Sequence, residues 1–264
     1  MSTVFLHARL WWQFVQLDAM LLVEYRVSFV FGVVRQVASL ALTVWGFGLL
    51  YQYTESIAGW SRPELLLLLG VFWIFSGAWD VLLQGLQQVS GDVHYGRMDF
   101  VLLRPVSAQF YLSLRRVSLL DVLNVAMGVG LVAYAGGLAG ISWHAGNVVV
   151  ALVLGTCGLV AIYALRFIVV TSVFWLTGVS NPDAILHPVF QVGQYPVDFF
   201  KGWIRPLLTF VIPVAFATTF PAQSLLGTLD ARLVPAGLVL AVMALYASHR
   251  FWLFAIRHYT SISG

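Results

Sequence analysis

The sequence predicts an all-α polytopic membrane protein, and three observations carry that prediction. Only 9% of its 264 residues are charged while 60% are hydrophobic, whereas a soluble domain carries about a quarter charged residues. The apolar residues come in unbroken runs that reach the length of a spanning helix, about 20 residues. Those runs lack the polar–apolar alternation that membrane strands show over about ten residues. Lipid is therefore the solvent for most of this surface.

Residues 4–25 differ from the spanning runs. Arg9, Gln13 and Gln16 share one helical face, and Phe5, Trp12, Phe14, Leu17 and Leu21 cover much of the rest. The pattern describes either a helix lying in the membrane interface over 1–26 or a cytoplasmic extension of the first crossing. Runs at 27–51, 63–86, 117–138, 147–176 and 233–247 have spanning length and composition. The stretch 181–227 is interrupted by Pro188, Pro196, Pro206, Pro213 and Pro221, and each proline removes a backbone donor and disturbs the preceding turn. Broken backbone at membrane depth survives only where protein or a water-filled cavity covers it. The reading is a short crossing at 182–199, a helix–turn–helix dipping back from the outer face over 203–227, and a last crossing at 233–256. A kinked helix at 203–222 after a loop at 178–202 is the alternative, and it changes the number of crossings.

Lysine and arginine gather on the cytoplasmic side. With the N-terminus inside, the inner segments hold Arg9, Arg26, Arg97, Arg104, Arg115, Arg116, Arg250 and Arg257, against Arg62, Lys201, Arg205 and Arg232 outside. The asymmetry supports six crossings in a single domain, 1–264, with both termini cytoplasmic. Segment 88–116 then faces the cytoplasm.

Several chemistries are excluded. A phosphate-cradling loop needs GxxxxGK followed by Ser or Thr, yet the one lysine is Lys201 and Gly202 follows it. The chain therefore carries no ATPase of its own. No HExxH or GxSxG motif occurs, the histidines are scattered, and Cys157 is alone, which excludes an internal disulfide and a multi-cysteine metal site. No metal or cofactor is expected in the chain. Arg9, Asp18, Glu24 and Arg26 argue against a cleavable signal, and the dispersed net charge of +3 does not point to nucleic acid.

Ionisable residues inside spans are costly and mark function by default. Arg35, Asp80, Asp121 and Arg166 are the four. Arg35 and Asp80 lie at similar depth, about 13 Å from the same side, so they can pair if the first two spanning helices are neighbours. Asp121 can pair with Arg116, and Arg166 has no evident partner. All four are read either as buried pairs and snorkelling side chains or as the lining of a substrate path. Gly136 and Gly140, with Gly128 and Gly130, form a small-residue face suited to close helix packing.

Between the second and third crossings the chain reads QQVSGDVHYGRMDFVLLRPVSAQFYLSLRR. Val93, Met98, Val101 and Leu102 supply an apolar component; Asp92, Arg97, Asp99 and Arg104 stay polar. Gly91 and Gly96 permit a turn at the entry and Pro105 stops the helix. Such an element suits a groove on a soluble partner, or else it is a solvated loop.

The stretch from Gly96 to Ser107, GRMDFVLLRPVS, resembles the GxxDxxLLRPV motif of type-2 ABC exporter permeases, in their uncharacterised-permease branch. Glu24-Tyr25-Arg26, Ile141-Ser142-Trp143, Ser172-Val173-Phe174-Trp175, Tyr195-Pro196-Val197, GWIRPLLTFVIPVAF and FPAQSLLG extend the resemblance in order along the chain. Lysine stands at Lys201–Gly202 where many members have proline. The resemblance implies six membrane helices, an N-terminal interfacial helix, a coupling helix within 88–108 and an outer re-entrant hairpin that includes Pro206, Pro213 and Pro221. It implies that Gly96, Asp99, Leu103, Arg104 and Pro105 couple the chain to a separate ATP-binding subunit, which would hold ATP and magnesium. It also implies a second permease subunit, a related heterodimer partner rather than an identical copy, in a prokaryotic cell membrane. An ion-driven secondary transporter or a non-transporting assembly subunit is the rival reading. Aromatic-rich, weakly charged spans suit an amphipathic cargo as well as they suit contact with lipid.

Overall fold

A computed structural model describes residues 3–104, 106–175 and 183–258, and the regular structure in them is helical. Helix α1 (Thr3–Glu24) runs into α2 (Arg26–Leu50) through a bend at Tyr25, where φ is −99° and ψ 56°. Tyr25 N–H still donates to Leu21 O and Phe29 N–H to Tyr25 O, so the bend leaves the backbone bonded. Helix α2 buries only Gln36 and Phe47.

The loop after α2 closes with Ile57 and Trp60 exchanging backbone hydrogen bonds across Ala58 and Gly59. Both bridging residues have positive φ, the tight-turn geometry that glycine permits. Burial, with the Glu64 carboxylate adding to it, pushes the Tyr51 phenol up to about 12. The phenol therefore stays protonated and donates to Trp60 O at 2.8 Å. Helix α3 (Arg62–Leu83) starts beyond this loop, with Pro63 in its first turn and the Glu64 carboxylate accepting from Ser61 N–H at 2.7 Å. It is the central helix, with Leu65 to Trp73 buried throughout.

Beyond a 3-10 turn (Gln84–Gln88) come three short helices, α4 (Val89–His94), α5 (Met98–Leu102) and α6 (Ala108–Leu114). Gly96, at φ +66°, turns the chain between α4 and α5. The amphipathic element expected here is therefore two short helices. Pro105, expected to end it, lies outside the described residues.

Helix α7 (Val122–Leu138) is preceded by a 3-10 turn (Leu119–Asp121), so it begins later than the apolar run at 117 suggests. Asp18 of α1 accepts from Leu119 N–H at 2.8 Å and anchors that start. Helices α3 and α7 pack backbone against backbone. A Cβ on Gly70 would meet Gly128 O and Val132 N, and one on Gly77 would meet Val125 N. The close approach involves Gly128 alone of the expected small-residue face: Gly136 is covered by the Trp143 ring, while Gly130 and Gly140 face open space.

Helix α8 (Ala145–Thr171) organises the remainder. The chain resumes as α9 (Asp183–Gln191), which contains Pro188, and continues through a 3-10 turn (Val192–Gln194), extended residues at 195–196 and a turn at Val197–Phe199. Next come the single turn α10 (Ile204–Pro206), a π turn (Leu207–Val211), α11 (Val214–Ala217) and α12 (Thr219–Leu226). This piece follows α8 downward and back. Phe216 and Ala217 press their backbone on Gly158, about 16 Å below Asn147 at 1.5 Å per residue, while Ser224 Oγ donates to Asn147 O at 2.8 Å. Asp198 ties its top, accepting from Arg205 Nη2 at 2.7 Å and from Trp60 Nε1 and Gln223 Nε2 at 3.3 Å each. Helix α13 (Leu233–Arg257) closes the bundle, with Gly237 against the Phe216 ring.

Among the described residues five helices are long and apolar enough to cross a membrane, in the regions of α2, α3, α7, α8 and α13. The expected sixth, at 182–199, is a broken path, because Pro188 and Pro196 interrupt its backbone bonding; Pro182 lies outside the described residues. Gly158→Ala is expected to force the Phe216–Ala217 backbone off α8 and to cost about 1–3 kcal/mol by overpacking. Gly146→Ala, with nothing near its Cβ, should be neutral. Thermal unfolding of both variants in detergent micelles checks the contrast.

Candidate functional site

A cleft of about 400 Å³ separates the middle of α2 from α3 and α9. Helix α2 meets the bundle at two levels: Gly32 and Gln36 lie against Leu120 and Asp121, and Phe47 joins the core of Trp60 and Leu65. Between those levels the helices part. Arg35, Ser39 and Thr43 line the cleft from α2 at helical spacing, and Ser76, Asp80 and Gln84 from α3. His187 and Gln191 of α9, with Gln194 just beyond, form its third wall.

The polar groups of this cleft are ordered by one another. Asp121, buried at the start of α7, accepts from Gln36 Nε2 at 2.7 Å and from Asn124 Nδ2 at 3.0 Å. The carboxylate obliges both amides to present nitrogen, which leaves Gln36 Oε1 and Asn124 Oδ1 without donors. Gln194 Nε2 donates to Gln191 Oε1 at 2.6 Å, and Gln191 Nε2 lies 3.3 Å from His187 Nε2. Trp73 Nε1, on α3, has no acceptor.

An adjoining cavity of about 60 Å³ holds Arg166, with Asp80 and His187 on the shared wall. Arg166 is 3% exposed. Its guanidinium lies 4.3 Å from the Trp79 ring centroid and 5.4 Å from that of Phe190, a desolvated cation–π arrangement. The cation that lacked an evident partner in the sequence therefore has aromatic ones.

The four charges noted in the sequence thus gather in one region, with different partners than expected. Arg35 and Asp80 share the cleft, but Arg35 forms no ion pair among the described residues, because α2 stands away from α3 at that depth. Asp121 is held by amides rather than by the exposed Arg116. Gln36, Asn124, Ser39, Ser76, His187, Gln191 and Gln194 were missed. Their signal was polar spacing of three or four residues inside apolar runs, as in Arg35–Ser39–Thr43 and Ser76–Asp80–Gln84.

The second functional region is the α4–α6 segment. Asp92, expected on the polar side of the element, is buried and pairs with Arg115 and, at 3.1 Å, with Arg97. Met98, Val101 and Leu112 pack with Phe167 of α8 and Trp252 of α13, so one face of the segment belongs to the core. The opposite face presents Phe100, 70% exposed, and Leu103, 82% exposed. Arg104 is also outside, its guanidinium 4.2 Å from the Tyr111 ring centroid, and Tyr111 touches Phe14 of α1. Asp92→Ala is expected to strand the buried Arg115 cation and cost about 3–5 kcal/mol. Arg97→Ala, at an exposed partner, should cost under about 1 kcal/mol. The yield of folded protein after mild heating separates the two.

The model of the family described as ABC-2 family transporter protein matches residues 37–263, a range that contains the whole α4–α6 segment and the cleft walls except Arg35 and Gln36. Neither a curated protein nor a solved structure matches the chain. Spanning helices, a polar cleft among them and a family match over most of the length make this chain a multi-pass, permease-type transporter subunit that belongs to the ABC-2 family.

Proposed function

We propose that the chain is the membrane half of an ATP-driven exporter whose energy comes from a separate ATP-binding subunit. The observation that carries this reading is the two-faced α5 helix. Met98 and Val101 are locked into the core with α8 and α13, while Phe100 and Leu103 face outward two and five residues beyond Met98. Large apolar side chains set in a polar surround mark a protein contact. A push on them would pass directly into spanning helices, because the buried face is close-packed.

In this arrangement α4 and α5 form the coupling element, with Gly96 turning the chain, Arg104 braced on Tyr111 and Asp99 on the same helix. The Asp92–Arg115 pair makes α4 and the end of α6 move together. The segment faces the cytoplasm and both termini lie inside, in line with the arginine asymmetry. The broken path 183–199 serves as the fifth of six crossings. The 204–227 piece, with Pro206, Pro213 and Pro221, is a re-entrant hairpin dipping from the outer face, and α1 lies in the inner interface. A second permease subunit covers part of α2, the least buried of the spanning helices, and the α2–α3 cleft lines the path between the halves. ATP and magnesium stay with the partner, in keeping with a chain whose one lysine cannot serve a phosphate loop.

Replacing Phe100 and Leu103 together by serine tests the lever. Each apolar anchor contributes about 1.5–3 kcal/mol when buried, so recovery of the ATP-binding subunit with the tagged permease should fall at least about tenfold. The permease itself should reach the membrane at its usual level. Undiminished co-purification and transport would reject the assignment. So would labelling of Tyr95→Cys by an impermeant reagent applied outside intact cells.

A further inference from the structure

We propose that the α2–α3 cleft binds the anionic headgroup of an amphiphile, with Arg35 as its counter-charge and Trp73 as a second donor. The assignment deepens the transport reading above and rests on it for the statement that the ligand is cargo.

Several polar groups of the cleft remain unmatched. Arg35 lines the cleft from the third turn of α2 and forms no ion pair among the described residues. The Asp121 carboxylate is occupied by Gln36 and Asn124. Asp80 is on the wall shared with the buried Arg166. Trp73, 9% exposed, carries an indole N–H without an acceptor. An indole N–H is donor only and a guanidinium offers five donors, so both call for acceptors, and a phosphate or carboxylate brings several on one small group. The unmatched acceptors, Gln36 Oε1 and Asn124 Oδ1, sit beside Asp121.

The ligand's tail follows from where the cleft opens. Helix α2 touches the bundle near Gln36 and again at Phe47, and the cleft lies between those two levels. On another face of α2 a groove of about 640 Å³ runs past Val37, Leu40 and Val44 to Gln52 and Arg62. An alkyl chain carried from the cleft around α2 would lie against Val37, Leu40 and Val44. Polar head inside and apolar chain along α2 describe an amphiphile arriving from the bilayer.

The test uses the full chain in phosphatidylcholine nanodiscs and four probes of one chain length: dodecyl phosphate, laurate, dodecyltrimethylammonium and dodecyl maltoside, with binding read by calorimetry. Dodecyl phosphate is expected to bind at least about tenfold tighter than the cation and the neutral glycoside. Arg35→Gln should remove that preference, Trp73→Phe should weaken binding several-fold, and Arg26→Gln at the helix start should leave it unchanged. Laurate binding with the same Arg35 dependence extends the class to carboxylates and supports the assignment. A tighter dodecyltrimethylammonium complex would overturn it, as would equal binding of all probes or an anion preference that survives Arg35→Gln. Should Arg35→Gln fail to fold, Arg35→Met carries the same comparison, with Arg35→Lys expected to keep the anion preference. Loss of binding while an ATP-binding subunit still co-purifies with the wild type would sink the site and spare the transporter. Arg35-dependent binding by a chain that recovers no such subunit would do the reverse.

Discussion

Once water is removed, backbone that is not helical has to find its hydrogen bonds and its packing in neighbouring chain. The stretch 183–226 meets that demand through one close contact, the backbone of Phe216 and Ala217 laid on Gly158. Only a residue without a side chain allows it there. With the turn of the hairpin seated on α8, its polar groups fall within reach of partners. Thr219 Oγ1 accepts from Val197 N–H at 3.1 Å, and the Thr218 hydroxyl donates to Val214 O at 3.2 Å. Asp198 then gathers donors from the α2–α3 loop, the descending arm and α12. Without the Gly158 contact these groups would lose the neighbours that hold them in reach of one another.

The same segment makes the third wall of the cleft, so architecture and site are one problem. His187, Gln191 and Gln194 face Ser76 and Asp80 because Pro188 and Pro196 keep 183–199 short and irregular enough to nest against α3. On the opposite side α2 contributes Arg35 and Ser39 while remaining loosely attached. A helix held at two levels and free between them can move relative to α3 without disrupting the core. At the other end of the bundle Asp92, Arg115 and Tyr111 connect the outward-facing residues of α5 to α6, α1 and α8. The Arg166 cavity beside the cleft and the α4–α6 segment share α3 and α8.

Helical membrane class, the bounds of α2, α3, α8 and α13, and the absence of a phosphate-binding loop were legible in the residues themselves. Long apolar runs have one stable form in lipid, and a missing lysine cannot be supplied by folding. The motif around Gly96 to Ser107 pointed to the family that the match over 37–263 shows. The positions of the intramembrane charges were legible too, since a charge in an apolar run is visible in one dimension.

Their partners were decided only by the tertiary structure. Whether Arg35 reaches Asp80, or Asp121 reaches Arg116, depends on which helices are neighbours, and apolar runs packed by shape carry no label for that. Arg166 lies against the Trp79 and Phe190 rings, and Asp92, polar in sequence, went inside because Arg115 could follow it. The close approach settled on Gly70, Gly128 and Gly158 rather than on the GxxxG spacing at Gly136. A glycine permits contact, but the partner helix determines which glycine is used. Composition thus set the solvent and the length of each element, while side-chain complementarity among the helices chose the neighbours and so created the cleft.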